Sequence, residues 1–239
     1  MKSYKTKGLI YKIKNFQEKD KIVWVLSKEY GKISIMAKGV RNPKSRRGGH
    51  IDLFNYVQLT LHKGRNFDNL NEILVIDTYS KTKEENPYLF FYLTELIDKI
   101  EIEIIEGKKI LTILENILSV CNSSNIYKLI SFFEINLLEI LGYTPNLKTY
   151  IGTDILLSEN NIYLSADIPG FIEDSDSAHK VDSNVIKCQR IFITGNLEAT
   201  LTLKIDLKTQ ESISRIQKYW IQSIIGKDLK SLELLSNPR

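Results

Sequence analysis

Cysteine is nearly absent from this chain. Its two thiols, Cys121 and Cys188, are far apart and form no Cys-x-x-Cys pair, which excludes a disulfide framework and any metal site evident from spacing. Both are expected to be reduced. Long apolar runs are missing too: none approaches the roughly 18 residues that span a bilayer, and the opening Met-Lys-Ser-Tyr-Lys-Thr-Lys lacks the apolar core of a signal peptide. The expected location is therefore the cytoplasm, with no membrane contact. The three histidines, His50, His62 and His179, have no ligand-like spacing with one another or with cysteine. The stretch "KGVRNPKSRRGG" lacks the glycine and lysine order that wraps a triphosphate, and no Gly-x-Gly-x-x-Gly follows a strand. Paired carboxylates such as Glu84-Glu85 and Asp174/Asp176 sit in polar, loop-like surroundings, where solvation explains them better than acid–base chemistry. No catalytic residue, cofactor or metal is predicted, and internal repeats and low-complexity tracts are absent.

Acidic residues are missing from one further place, the whole span between Glu29 and Asp52. Within it "MAKGVRNPKSRRGGHID" concentrates Lys38, Arg41, Lys44, Arg46 and Arg47. One reading is a solvated loop that keeps the protein soluble; the other is a phosphate contact. Gly39, Pro43 and Gly48-Gly49 punctuate the run, which makes it a loop joining two ordered segments rather than a tail. The net charge of +4 hides a division: residues 1–80 carry 16 Lys and Arg against 7 Asp and Glu, a balance of +9, while residues 81–239 balance to −5. The first third is suited to a polyanion, although charge alone does not separate DNA from RNA or from an anionic surface.

From Lys5 to about Ser80 the signals are those of short strands. "GLIYKI", "KIVWVLS", "GKISIMAKGV", "YVQLTLHKG" and "NEILVIDTYS" are rich in Val, Ile, Thr and aromatics and are separated by polar clusters. In "KISIMAK", Ile33, Ile35 and Ala37 fall on one face and Lys32, Ser34, Met36 and Lys38 on the other. Five short strands in about 80 residues match a small Greek-key barrel such as the OB-fold. After "KTKEEN" the spacing turns helical. Asn86 can cap and Pro87 can open a helix bearing Leu89, Leu93, Leu96, Ile97 and Ile100; a second is expected near Lys108 to Val120, and a third from about Ile126 until Gly142 and Pro145 end it. Residues 146–178 turn polar and predict a small loop-rich or hairpin insertion. Ile213, Ile216, Trp220 and Ile224 then form a last apolar stripe. The fold class is α+β: an N-terminal OB-fold domain, 1–80, and a helical domain, 81–239, interrupted at about 146–178.

These stretches resemble a known family, the bacterial DNA repair and recombination protein RecO. The run "GLIYKIKNFQEKDKIVWVLSKEYGKISIMAKGVRNPKSRRGGHIDLFNYVQLTLHKG" is similar to that family's opening barrel. "FFYLTELIDKI", "SFFEINLLEILGYTPNL" and the closing "GKDLKSLELL" are similar to stretches of its helical domain. The resemblance implies a non-enzymatic, nucleoid-associated recombination mediator of the RecF pathway. Such a protein binds single- and double-stranded DNA, anneals complementary strands, joins RecR, and helps RecA displace single-stranded DNA-binding protein, whose acidic, apolar C-terminal tail would meet the helical part. The candidate DNA contacts are Lys38, Arg41, Lys44, Arg46 and Arg47, with Lys63 and Arg65 of "HKGR". Tyr11, Phe16, Trp24 and Tyr56 are candidates either to stack bases or to fill the barrel core; Trp24, on the opposite face from Val23 and Val25, is left open between the two. An OB-fold RNA-binding protein of translation or RNA turnover is the alternative, since fold and charge do not distinguish the two nucleic acids.

One feature departs from the family pattern. Many members carry two Cys-x-x-Cys pairs after the "GYxPxL" stretch; here the aligned positions are Tyr150, Thr153, Glu173 and Asp176. A phenol, a hydroxyl and two carboxylates make a poor tetrahedral zinc cage. The insertion is expected to fold without metal, held by Ile155, Leu157, Ile162, Leu164 and Phe171. A hard cation around Glu173, Asp174 and Asp176 is the less favoured reading, against a solvated acidic turn.

Overall fold

The computed structural model describes residues 3–165, 168–173, 179–226 and 228–231. Five strands, β1 (Ser3–Phe16), β2 (Asp20–Ser27), β3 (Gly31–Ala37), β4 (Tyr56–His62) and β5 (Asp68–Asp77), form a closed barrel in the order β1-β2-β3-β5-β4. All neighbours are antiparallel except β3 and β5, which pair in parallel at Ile35 and Asp68. This is the five-stranded Greek-key arrangement expected of an OB-fold. Alternation places Ile10, Val23, Val25, Ile35, Val57, Leu59, Leu61 and Leu70 in one interior cluster, while Lys32, Ser34 and Met36 of β3 are only half-buried.

Three helices pack with the barrel. The first, α1 (Ser80–Glu85), occupies "KTKEEN", which the sequence presents only as a boundary. The second, α2 (Pro87–Lys99), begins with Pro87 at its first turn as expected. Asn86 holds the N-cap position but makes no side-chain cap hydrogen bond. The third, α3 (Ile104–Val120), starts a turn earlier than Lys108, because the Glu106 carboxylate accepts from the Glu103 amide at 2.8 Å. Phe90 of α2 meets Phe54 edge-on with centroids 4.8 Å apart, and the Thr82 hydroxyl donates to the Leu118 carbonyl at 3.1 Å. The expected division at residue 80 is not where the contacts divide the chain. Instead, α1–α3 group with the barrel: one compact unit takes the described residues up to 119 together with 229–231, and the other takes 120–228. Of these helices α2 and α3 bury apolar faces, whereas α1, without an apolar side chain, buries only Thr82.

The second unit contains α4 (Ile126–Ile140), a two-stranded hairpin of β6 (Tyr163–Leu164) and β7 (Phe171–Ile172), then α5 (Ser183–Phe192), α6 (Leu197–Thr202) and α7 (Leu207–Ile225). Each of the last three has an acceptor at its N-cap: Asp182, Asn196 and Asp206 receive the amides of Asn184, Ala199 and Thr209. Apolar periodicity did not reveal α5 and α6, which are short. In α7, Ile213, Ile216 and Trp220 are buried, and Phe171 of the hairpin lies edge-on to Trp220 at 5.7 Å.

The hairpin rests on Ile162 and Phe171, both buried, with Leu157 and Leu164 half-buried. Ile155 does not join them, being 57% exposed. Tyr150, at the first zinc-aligned position, is buried: its hydroxyl donates to the Asn161 carbonyl at 2.7 Å and accepts from the Ser158 amide at 3.1 Å. The Thr153 hydroxyl donates to the Tyr150 carbonyl at 3.1 Å. Glu173 is exposed, while Asp174 and Asp176 lie outside the described residues. Among the described residues no three His, Cys, Asp or Glu side chains gather as a metal site, both cysteines are free and buried, and no helix is long and apolar enough to cross a membrane.

Residues 229–231 return to α2, where Glu95 collects them. Its carboxylate accepts from the amides of Lys230 and Ser231, from the Ser231 hydroxyl at 2.6 Å and from Lys99 at 2.6 Å. Burial by itself raises this carboxyl's pKa, but the hydrogen bonds from Lys99 and Ser231 outweigh it and hold the value at about 2. A depressed folded pKa contributes stability that is complete above the unfolded value and is lost as pH falls toward the folded one. Denaturant titrations should therefore show the wild type losing stability between roughly pH 5 and 2, with a shallower loss in Glu95→Gln. Equal pH slopes in the two proteins would refute this role for Glu95.

Candidate nucleic-acid interface

The basic segment between β3 and β4 is a folded loop pinned at several points. Gly39 turns it with φ +68°, a conformation that favours glycine, and its amide donates to Asp20 Oδ1 at 2.8 Å. The Arg41 amide donates to the Lys19 carbonyl at 3.0 Å, and its guanidinium donates to the Gln17 carbonyl at 2.9 Å. The loop is thereby joined to the β1–β2 turn. Asn42 accepts from the Lys44 amide at 3.1 Å, and successive turns lead into a 3-10 turn at Gly48–His50. A Cβ on Gly48 would stand 2.2 Å from the Val40 carbonyl oxygen, so the chain passes too close to itself for any other residue. Val40 and Ile51 plug into the barrel core. Beyond the loop, Lys83 of α1 reaches Asp52 at 3.3 Å and Asn55 at 3.0 Å.

The structure separates the expected contacts by what their charges already do. Lys38, Arg41, Lys44 and Arg46 are exposed, and none makes an ion pair among the described residues. Arg47 is half-buried and turned inward: its guanidinium donates to the Leu70 carbonyl at 2.9 Å and the Lys38 carbonyl at 3.1 Å. It clamps the loop to β5 and to the end of β3. Lys63 pairs with Asp68 at 3.3 Å and lies over the rings of Tyr4 and Tyr30, whereas Arg65 on the same β4–β5 turn is exposed and unpaired among the described residues. Lys14 and Lys19, exposed at the β1–β2 turn that Arg41 holds, were not singled out in the sequence, because only folding brings "KNFQEKDK" beside the loop.

The aromatic candidates divide too. Tyr11 and Tyr56 are buried; burial raises both phenol pKa values, and Tyr56 also bonds to Glu115 of α3. Neither can stack a base. Phe16 is 37% exposed beside the β1–β2 turn. Trp24 is half-buried on the outer face, with Lys12 Nζ 5.1 Å from its ring centroid. That face of β2 and β3, the usual oligonucleotide face of an OB barrel, is partly occupied by α2. Lys12 is paired with Asp98 at 2.7 Å, and Lys32 donates to the Ile100 carbonyl at 2.5 Å. Burial pulls the Lys32 ammonium's pKa down despite neighbouring Asp98. The cations of this face are therefore less available than those of the loop that follows β3.

Comparison with known proteins places this architecture. Residues 1–79 match the family model described as Recombination protein O N terminal. The chain is similar over its full length to the DNA repair protein RecO of Symbiobacterium thermophilum, at 23% identity with 99% of that protein covered. It is 24% identical to the RecO of Desulfitobacterium hafniense over 95% of this chain and 87% of that one. With the RecO of Roseiflexus it shares 27% over 99% and 86% respectively.

The two adjacent arginines should behave differently. Arg47→Ala removes charge-assisted bonds to two strand-end carbonyls and should cost about 1.5–3 kcal/mol of stability, whereas Arg46→Ala should leave the unfolding midpoint within experimental scatter. Denaturant unfolding of both variants checks this, and equal midpoints would contradict the clamp.

Proposed function

We propose, from the match of residues 1–79 to the Recombination protein O N-terminal model and the similarity of the whole chain to RecO proteins, that it is a RecO-type recombination mediator without catalysis of its own. It binds single- and double-stranded DNA through the barrel, anneals complementary strands, and helps load RecA onto DNA coated with single-stranded DNA-binding protein. The observation that carries this reading is the pinned loop presenting Lys38, Arg41, Lys44 and Arg46 outward, free of ion pairs among the described residues. Arg65 and the lysines of the β1–β2 turn extend the same field. Such cations neutralise phosphates and release counterions, which yields affinity without sequence preference.

The partners proposed are those that the resemblance implies. RecR and single-stranded DNA-binding protein meet the chain directly and RecA indirectly, in the cytoplasm at the nucleoid. Residues 81–239 carry a balance of −5, so an acidic, apolar tail would require a locally basic rim around an apolar groove. Lys63 and Arg47 contribute less to DNA affinity than expected from charge alone, because each is already engaged within the protein.

Replacing Lys44 and Arg46 by Glu should weaken oligonucleotide binding across sequences and flatten the log–log salt dependence by roughly 1.4 to 1.8 units if each neutralises one phosphate. Unchanged affinity and slope would remove the loop from the interface. Annealing of complementary oligonucleotides precoated with single-stranded DNA-binding protein tests the mediator role, and competition with matched RNA separates it from RNA binding.

A further inference from the structure

The barrel carries a second group of cations outside the basic loop. An open groove of about 370 Å3 is lined by Lys5, Thr6, Lys7, Lys28, Glu29 and Gln58. Lys5 and Lys7 alternate with buried Thr6 on β1, so both rise from the outer face, about 6.6 Å apart along the strand. This is comparable to the separation of successive phosphates in an extended nucleic-acid strand. Lys28 is held beside them because its amide donates to the Lys7 carbonyl at 2.9 Å, folding the β2–β3 turn against β1. Gln58 is the cross-strand partner of Lys7 on β4 and adds a neutral donor to the floor.

All three lysines are exposed, and none forms an ion pair among the described residues. The one carboxylate in the groove, Glu29, accepts from the Thr6 hydroxyl at 2.5 Å and so is held by a hydroxyl rather than by a lysine. Two features set this group apart from the loop. Along β1, Lys7 precedes Gln17, to which Arg41 is tied, by roughly 30 Å of strand contour. On the other side, the carbonyls of Leu70 and Asn71 that Arg47 grips are followed by Glu72. Its carboxylate accepts from Thr60, the cross-strand partner of Lys5. An acid thus stands between the two sets of cations.

We infer that this groove holds the phosphodiester backbone of a second DNA strand while the basic loop holds the first. The inference rests on the DNA-binding reading above and supplies a physical basis for annealing. Two polyanions repel one another; when each is neutralised by its own cations on a single barrel, both can be present at once instead of competing for one site.

The test uses the full chain. One dye-labelled oligonucleotide reports binding of the first strand, a non-complementary oligonucleotide with an acceptor dye reports simultaneous occupancy by energy transfer, and a complementary pair reports annealing. In K5E/K7E/K28E, first-strand affinity is expected to stay within about twofold while energy transfer is lost and annealing slows by about tenfold or more. K5Q/K7Q/K28Q, which removes charge without reversing it, should show the same pattern less strongly and guards against misfolding. Undiminished energy transfer and annealing in both variants would overturn the second-strand groove and leave binding by the loop standing. A loss of first-strand affinity in step with annealing would also overturn it, by making the groove part of the first site. A wild-type chain that binds no DNA would instead overturn the reading on which the inference rests.

Discussion

One strand serving two partners is the constraint on which the barrel depends. β1 pairs with β4 from Ser3 to Leu9 and with β2 from Gly8 to Phe16, so closure requires it to bend where the pairings overlap. Gly8 faces both Ser27 and Val57 at that point, and a Cβ there would stand 2.6 Å from the Leu26 carbonyl oxygen. The register then slips between Ile10 and Lys12, a bulge of the kind that bends a strand and increases its twist. A missing side chain and one irregular pairing carry a fourteen-residue strand around the corner, and they determine where its two ends, with their different cations, are displayed.

The cations of this barrel are of two physical kinds. Arg47, Lys12, Lys32 and Lys63 are committed to carbonyls or carboxylates of the fold. Their desolvation is offset by those bonds, so they are poorly placed to exchange protein partners for phosphate. Lys38, Lys44 and Arg46 are exposed, and their charge is available to a polyanion at little cost. Net charge counts both kinds alike. Rigidity adds to this: the loop is pinned through Arg41, Arg47, Val40 and Ile51, so its free cations need less ordering on binding than those of a mobile tail.

The hairpin of the second unit is held by ordinary interactions. The Tyr150 phenol ties together Ser158 and Asn161, and Phe171 meets the Trp220 ring. Hydrogen bonds and one aromatic contact are each weak beside a structural metal, yet they act over few residues between closely spaced chain segments.

Much of the fold was legible in residue order. Alternation in "KISIMAK" and its companions determined the strands, because a half-buried sheet demands period two, and the resemblance of the opening run determined the barrel type. The acid-free span between Glu29 and Asp52 marked the loop. Helices α5 and α6 escaped because short helices carry too few turns for a stripe, although Asp182 and Asn196 cap their starts. Only the tertiary structure decided which cations are free. Arg46 and Arg47 are neighbours of the same chemical type, yet one faces water and the other donates to carbonyls of Leu70 and Lys38. Likewise Tyr11 and Tyr56 became core while Lys5, Lys7 and Lys28 came together across a turn. Local sequence sets backbone periodicity, but hydration and partnership depend on residues distant in the chain, and closure of the barrel is what brings those together.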